Sequence, residues 1–340
     1  MPEFAKELQK EAELRCLHVP HMHRHFRSEH YLDRWEGVEP KQVWGGVEIL
    51  KRLHKGSMSS SSYLGRLSDG TLRLIKRYRP LREGLQPDNM FRHQERMIQH
   101  LRKIDDQRVE EVFEHFLLED QSYIQIKPYL QGFSVWDWME DHPKLMARLL
   151  LLRELGEILE LLHAHEIAHM DLKPAQLLLF KSNSWDTPPK MTLIDYDFSM
   201  VQVKLTLSVG SVPYYAPEQF MHGCVPSSHE EGRKSDVYAF CVMVYRMLLE
   251  RFPFAEGETE PTNIDQHKLN WDLDRLHLSH WSLDQILHKG LDPDPKKRPE
   301  LEEILRALYT EDVQRKIEEI HVVEPPAEPK DTRMRKRYER

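Results

Sequence analysis

Apolar positions along the chain follow two periods, and the change from one to the other divides it. Val47, Ile49 and Leu53 begin a strand-like stretch that ends at Lys55-Gly56. Tyr63 to Leu67 reads as a second strand and Ser68-Asp69-Gly70 as a hairpin turn, and Thr71-Leu72-Arg73-Leu74-Ile75-Lys76 alternates as a half-buried third strand. Residues 89–104 shift to helical spacing, with Phe91, Met97, Ile98 and Leu101 on one face. Val112 to Leu118 and Tyr123 to Ile126 return to strand. Leu145, Leu149, Leu152, Leu155, Leu159 and Leu162 then recur as on a long buried helix. Leu177 to Phe180 and Met191 to Ile194 predict two short strands around a polar insertion, residues 181–190. Ser235-Asp236 starts an apolar helix that runs to Leu249, with Asp236 as its expected cap, and Glu300 to Leu308 is the last helix of the domain. A strand-rich first part followed by a helical second part predicts an α+β protein.

The ends carry weaker patterns. Phe4, Leu8, Leu14 and Leu17 among many charges predict a short amphipathic helix over residues 3–17. His18, His21, His23, His25 and His30 follow. No cysteine pair or HExxH spacing accompanies them, so a polar arm is favoured over a metal or pH-sensing site. Trp35 and Trp44 are candidate anchors for that arm. Glu324-Pro325-Pro326 breaks the helical pattern, and Arg333, Arg335, Lys336, Arg337 and Arg340 make a basic tail. A solvated tail is the favoured reading, with contact to an acidic partner or membrane surface as the alternative.

Composition narrows the class. The 340 residues are 40% hydrophobic and 31% charged, as expected of a globular chain holding one two-lobed domain with tails. A formal net charge of -8 argues against bulk nucleic-acid binding. Cys16, Cys224 and Cys241 are odd in number and widely spaced, which suggests neither a disulfide framework nor a zinc site and fits a reducing, cytoplasmic compartment. No signal peptide is readable at the start. Arg148, Arg153, Glu154 and Arg246 interrupt the longest apolar stretches, so no transmembrane segment is expected.

The chemistry-bearing motifs lie in a fixed order. His169-Met170-Asp171-Leu172-Lys173-Pro174-Ala175-Gln176 resembles the catalytic loop of eukaryotic-type serine/threonine protein kinases, with Met170 in place of arginine and Gln176 in place of asparagine. Gly210-Ser211-Val212-Pro213-Tyr214-Tyr215-Ala216-Pro217-Glu218 is similar to that family's Ala-Pro-Glu segment, and Asp292 to Pro299 to its closing arginine motif. The resemblance covers about residues 47–310.

The resemblance implies a bilobal protein-kinase fold, with a small β-rich lobe bearing one helix and a mostly helical large lobe. It divides the chain into an extension (1–45), a small lobe (46–130), a large lobe (131–320) and a tail (321–340). It implies ATP in the cleft and Mg²⁺, with Mn²⁺ as a substitute, bridging the phosphates. Asp171 is then the group that takes or orients the proton of the attacking hydroxyl, and Lys173 neutralises the phosphoryl charge. Gly56 opens the phosphate loop, which is serine-filled here. Lys76 holds the α- and β-phosphates, and Glu95 is expected to pair with it. Backbone at Pro128 and Leu130 meets the adenine. Lys127 falls where the family carries an apolar or neutral side chain, so it is expected either to turn to solvent or to mark an unusual pocket.

Gln176 and Asp195 are the expected metal ligands. Asp195-Tyr196-Asp197 and Asp197-Phe198-Ser199 are both open as the metal motif. Asp195 is preferred because it ends an apolar strand rather than interrupting one. Asp197 then assists with a second metal. Met170 removes the arginine that often reads a phosphorylated activation loop, so activation by that pairing is not expected, although Thr206 and Ser208 are candidate phosphosites. Ser211 is expected to bond Asp171 and Lys173, Arg298 to pair with Glu218, and Asp236, besides capping its helix, to hold the backbone of the catalytic loop.

Two other functions stay open. The altered phosphate loop, Gln176, Lys127 and Asp-Tyr-Asp suit a pseudokinase that binds nucleotide or scaffolds partners. An Asp-x-Asp ending also occurs in small-molecule kinases, but those lack the Ala-Pro-Glu platform. The protein substrate is not legible.

Overall fold

The alternation of the first part is realised as a six-stranded antiparallel sheet in the order β1-β2-β3-β4-β6-β5. Its strands are β1 (Val43–Trp44), β2 (Val47–Lys55), β3 (Ser60–Arg66), β4 (Leu72–Tyr78), β5 (Glu114–Leu117) and β6 (Tyr123–Pro128), and helix α1 (Pro87–Leu101) precedes β5. This computed structural model describes residues 42–55, 60–78, 87–180, 189–197, 199, 214–220, 228–250, 252–253 and 281–323. The helix expected over 3–17, the histidine run, Trp35, Gly56, Phe198, Thr206, Ser208, Ser211 and the basic tail lie outside those residues.

Contacts divide the chain into two units. Residues up to 102 together with 110–131 form the first, and residues 103–109 together with 132 onward form the second.

In the first unit, Trp44, Val47, Ile49, Ile75, Ile124 and Ile126 make one buried cluster on one sheet face. Gly45 and Gly46 join β1 to β2 with φ of 55° and 75°. Two left-handed residues in succession suit the twist of a tight hairpin, and glycine meets that demand without a side-chain clash. β6 is buried on both faces. Ile124 and Ile126 serve the core cluster, while Gln125 between them turns to the face that carries α1.

The second unit is built on two helices. α3 (Leu145–Ala164) and α5 (His229–Leu249) are buried on most sides and pack on each other. A small sheet of β7 (Phe133–Ser134), β8 (Leu177–Phe180) and β9 (Lys190–Leu193) lies beside α2 (Val135–Glu140). Ser134 begins α2 with a capping box to Asp137. The remaining helices are α4 (Pro217–Phe220), α6 (Trp281–Gly290), α7 (Leu301–Leu308) and α8 (Glu311–Val323).

One boundary differs from expectation. Asp236 does not cap α5: the cap is Ser228, whose Oγ accepts from Glu231 N at 3.2 Å. Polar residues fill the first two turns, so the apolar pattern begins well inside the helix. Asp236 is therefore a buried aspartate of the helix interior.

Candidate active site

The catalytic loop is held from behind by Asp236. Its two carboxylate oxygens accept from His169 N at 2.7 Å and Met170 N at 2.8 Å, and His163 Nε2 lies 3.0 Å from Oδ2. A carboxylate that receives two backbone N–H groups fixes the loop more firmly than neutral bonds would. Met170 adopts φ 68°, a left-handed conformation held in place by this double contact and by Gln219 Nε2, which donates to Met170 O at 2.7 Å. Sequence reasoning missed Gln219, which sits next to Glu218 and gives no periodic signal. His163 carries no motif either, and only the fold brings it to Asp236.

Asp171 stands at the front of this loop and is 7% exposed. Its Oδ2 accepts from Lys173 Nζ at 2.6 Å and from Gln176 Nε2 at 3.0 Å. The structure thus brings three of the expected site residues together. Gln176 lies in a 3₁₀ turn over Pro174–Gln176, and its carbonyl accepts from Ile194 N at 2.9 Å. That bond joins the catalytic loop to the end of β9, where Asp195 follows with φ 70°. Tyr196 turns inward: its ring centroid is 5.3 Å from that of His169, and its hydroxyl donates to Leu193 O at 3.1 Å. Ser199 Oγ donates to His169 O at 3.0 Å. Asp195 is partly exposed and Asp197 is buried.

The residues present fit a hard divalent cation. The Asp195 carboxylate and the Gln176 amide oxygen are both hard donors, and the Gln176–Ile194 bond makes them neighbours. Among the described residues no group of three or more His, Cys, Asp or Glu side chains forms a cage. Mg²⁺ commonly binds through one or two protein oxygens together with phosphate and water.

Glu218 and Arg298 make a bidentate pair at 2.6 and 2.7 Å, as expected. Arg298 is also spent on Asp292 O and Lys234 O, and its guanidinium lies over the Tyr238 ring. Ser235 Oγ adds a bond to Glu218 Oε1 at 2.7 Å. Burial lifts the Tyr238 phenol well above its usual range.

In the first unit, Lys76 lies opposite Ser62 on β3 and Gln125 on β6. Pro128, opposite Arg73, ends β6, and Pro128, Tyr129 and Leu130 are all partly exposed.

One expectation is corrected in this unit and another is narrowed. Glu95 is on the exposed side of α1 and is not the partner of Lys76. Gln94 points inward instead, and its Oε1 accepts from Gln125 Nε2 at 3.0 Å. The reason is the helical period: Met97, Ile98 and Leu101 are buried, and the position three, four and seven residues before them is 94, not 95. That signal was legible in the sequence.

Lys127 does not turn to solvent. Its Nζ donates to Glu110 Oε2 at 2.8 Å, and the two side chains are 3% and 5% exposed. Glu110 carries no motif, and only the fold brings it to Lys127.

The protein kinase domain family matches residues 48–310. The chain is 28% identical over 200 residues to serine/threonine-protein kinase pkn2 of Myxococcus xanthus, covering 54% of this chain and 23% of that protein. It is 24% identical over 283 residues to serine/threonine-protein kinase PrkC of Bacillus subtilis, covering 78% of this chain and 40% of that protein. The chain therefore spans well under half the length of these curated relatives. Among solved structures it resembles the PknI kinase domain of Mycobacterium tuberculosis, with a TM-score of 0.56 and 16% identity, covering 80% of this chain and 98% of that one. That likeness carries the kinase fold. From the match over most of its length, the chain belongs to the protein kinase domain family.

Proposed function

We propose that this protein transfers the γ-phosphoryl group of ATP to serine or threonine hydroxyls of proteins. The observation that carries the reading is Asp171, oriented by Lys173 and Gln176 on a loop that Asp236 anchors. The acceptor oxygen attacks the γ-phosphorus, the bond from that phosphorus to the β–γ bridging oxygen breaks, and ADP leaves. The hydroxyl proton passes to Asp171, and Lys173 offsets charge on the group in flight. Lys76 binds the α- and β-phosphates. Gly56 lies in the loop that covers them. The Pro128 carbonyl and the Leu130 backbone take the adenine. Asp195 and Gln176 hold Mg²⁺, which neutralises phosphate charge when bound.

Several further points belong to this reading. The small lobe is taken as 46–130, the large lobe as 131–320, and the ends as separate arms. Among the described residues no helix is long and apolar enough to cross a membrane. A cytoplasmic setting suits Cys241, a free thiol that burial pushes up to about 12 and so keeps unreactive.

The test is ³²P transfer from labelled ATP, with Mg²⁺ or Mn²⁺, to the protein itself and to generic serine substrates. Transfer that Asp171→Ala abolishes is the expected result. Stabilisation by ATP against heat without any transfer would replace the reading with a pseudokinase, and neither transfer nor stabilisation would leave a scaffold.

A further inference from the structure

The residues that follow β9 wrap the first residue of the catalytic loop. Ile194 N donates to Gln176 O at 2.9 Å, and His169 Nε2 donates to Ile194 O at 3.2 Å, so the loop holds both polar backbone groups of Ile194. The Tyr196 hydroxyl donates to Leu193 O at 3.1 Å. Ser199 N donates to Tyr196 O at 3.2 Å, and Ser199 Oγ to His169 O at 3.0 Å. His169 Nδ1 accepts from Asp171 N at 3.4 Å, which carries the linkage to the front of the loop. Leu193, His169 and Ser199 are fully buried, and Tyr196 is 3% exposed.

Asp195 lies inside this set of bonds. Leu193 and Tyr196 flank the pair Ile194-Asp195, and the Tyr196 hydroxyl joins the two flanks across it. Asp195 has φ 70°, a left-handed conformation that a residue with a Cβ holds only under restraint. The Tyr196 ring packs against His169, and a phenylalanine in its place keeps that packing. The hydroxyl alone closes the turn. A buried hydroxyl needs an acceptor, so a turn that swings Asp195 away breaks the bond to Leu193 O and strands the hydroxyl among buried groups.

We infer that Tyr196 is a positioning residue whose hydroxyl, through Leu193 O, presets Asp195 for a divalent cation before nucleotide arrives. A preset ligand raises cation affinity, because none of the binding free energy goes to selecting the competent arrangement. The inference rests on the reading of Asp195 as a cation ligand, while the restraint on the turn is measurable with neither cation nor nucleotide.

The experiment compares the full chain with Tyr196→Phe. Hydrogen–deuterium exchange of the peptide over residues 193–197, without nucleotide or metal, reads the restraint. Electron paramagnetic resonance of free Mn²⁺, at a fixed concentration of a non-hydrolysable ATP analogue, reads cation affinity. Transfer of ³²P against Mg²⁺ concentration reads the consequence. Tyr196→Phe is expected to exchange about fivefold faster and to bind Mn²⁺ about fivefold more weakly, the size of one net hydrogen bond. Its Mg²⁺ requirement is expected to rise by the same factor, with the rate at saturating Mg²⁺ close to that of the wild type. A hydroxyl with a structural role alone would lower the melting temperature and leave cation affinity as it was. Unchanged Mn²⁺ affinity in Tyr196→Phe would therefore overturn the inference, as would a wild type that binds no Mn²⁺. Where Tyr196→Phe does not fold, exchange in the wild type decides. Little added protection over residues 193–197 on binding Mn²⁺ and the analogue supports a preset turn, and a large gain overturns it. Mn²⁺ binding without transfer would keep the positioning role and remove the kinase reading. Transfer with cation affinity unchanged in Tyr196→Phe would do the reverse.

Discussion

Gln94 on α1 and Gln125 on β6 are joined by a 3.0 Å hydrogen bond at the point where Gln125 pairs with Lys76 in register. The helix is thus tied to the sheet by two neutral amides rather than by a pair between Glu95 and Lys76. Amide pairing does not depend on salt or on the charge state of Lys76. Docking of α1 is therefore expected to be insensitive to ionic strength.

Removing one amide isolates the effect. Gln94→Ala leaves the buried Gln125 Nε2 only its longer bond to the Tyr123 hydroxyl, 3.3 Å, and should cost about 1 kcal/mol, read as a lower urea midpoint with an unchanged slope. Gln94→Glu keeps an acceptor for Gln125 Nε2 and should lose less. Equal losses in the two variants would mean that the bond does not hold the helix.

The Lys127–Glu110 pair should show the asymmetry of buried ions. Lys127→Met leaves a buried carboxylate and should destabilise by about 3–5 kcal/mol, whereas the double variant Lys127→Met/Glu110→Leu should recover most of that loss. A double-mutant cycle by urea denaturation measures the coupling. Additive losses would show that the two charges act independently.

Arg298 is committed on every side, to Glu218, three backbone carbonyls and a ring face. Arg298→Lys keeps the charge but cannot make two parallel bonds to Glu218. It should lose at least about 2 kcal/mol of stability and reduce phosphate transfer together with it. Full stability in Arg298→Lys would mean that charge alone suffices at that site.

Acid should weaken the fold through two histidines. Burial holds His115 and His229 below their ordinary value of 6.5, aided by the charges of Arg102 and of Arg233 and His163 respectively. The opposing influences are Glu95 on the first and, on the second, a backbone bond with Ile167 and the charge of Asp236. The unfolded chain then binds protons at a pH where the folded one does not. Their contribution makes stability fall as pH drops below about 6.5, with no further gain above it. His115→Phe, which keeps a ring against Phe91 and Tyr123, should flatten the part of this dependence due to His115 in urea titrations at pH 5 to 7.5. An unchanged pH profile would remove His115 as its source.

The order of strands and helices, the catalytic loop, the Glu218–Arg298 pair and the kinase family were legible in the sequence. The elements and the loop rest on local periodicity or on motifs of a few positions, whereas Glu218 and Arg298, 80 residues apart, were paired through two family motifs. The Gln94 register was legible too, through the helical repeat of Met97, Ile98 and Leu101, although the neighbouring glutamate drew the assignment away from it. Other features were decided only by the tertiary structure. Glu110 reaches Lys127 because β6 and the chain before β5 converge. His163 and Asp236 meet because α3 packs on α5. Arg246 meets two aromatic rings because α2 and the turn after α5 bring Trp136 and Phe252 to it. These are contacts between residues far apart in sequence, and where no family motif marks both partners, as at Lys127 and Glu110, no period or spacing along the chain encodes which distant side chain will satisfy a buried charge.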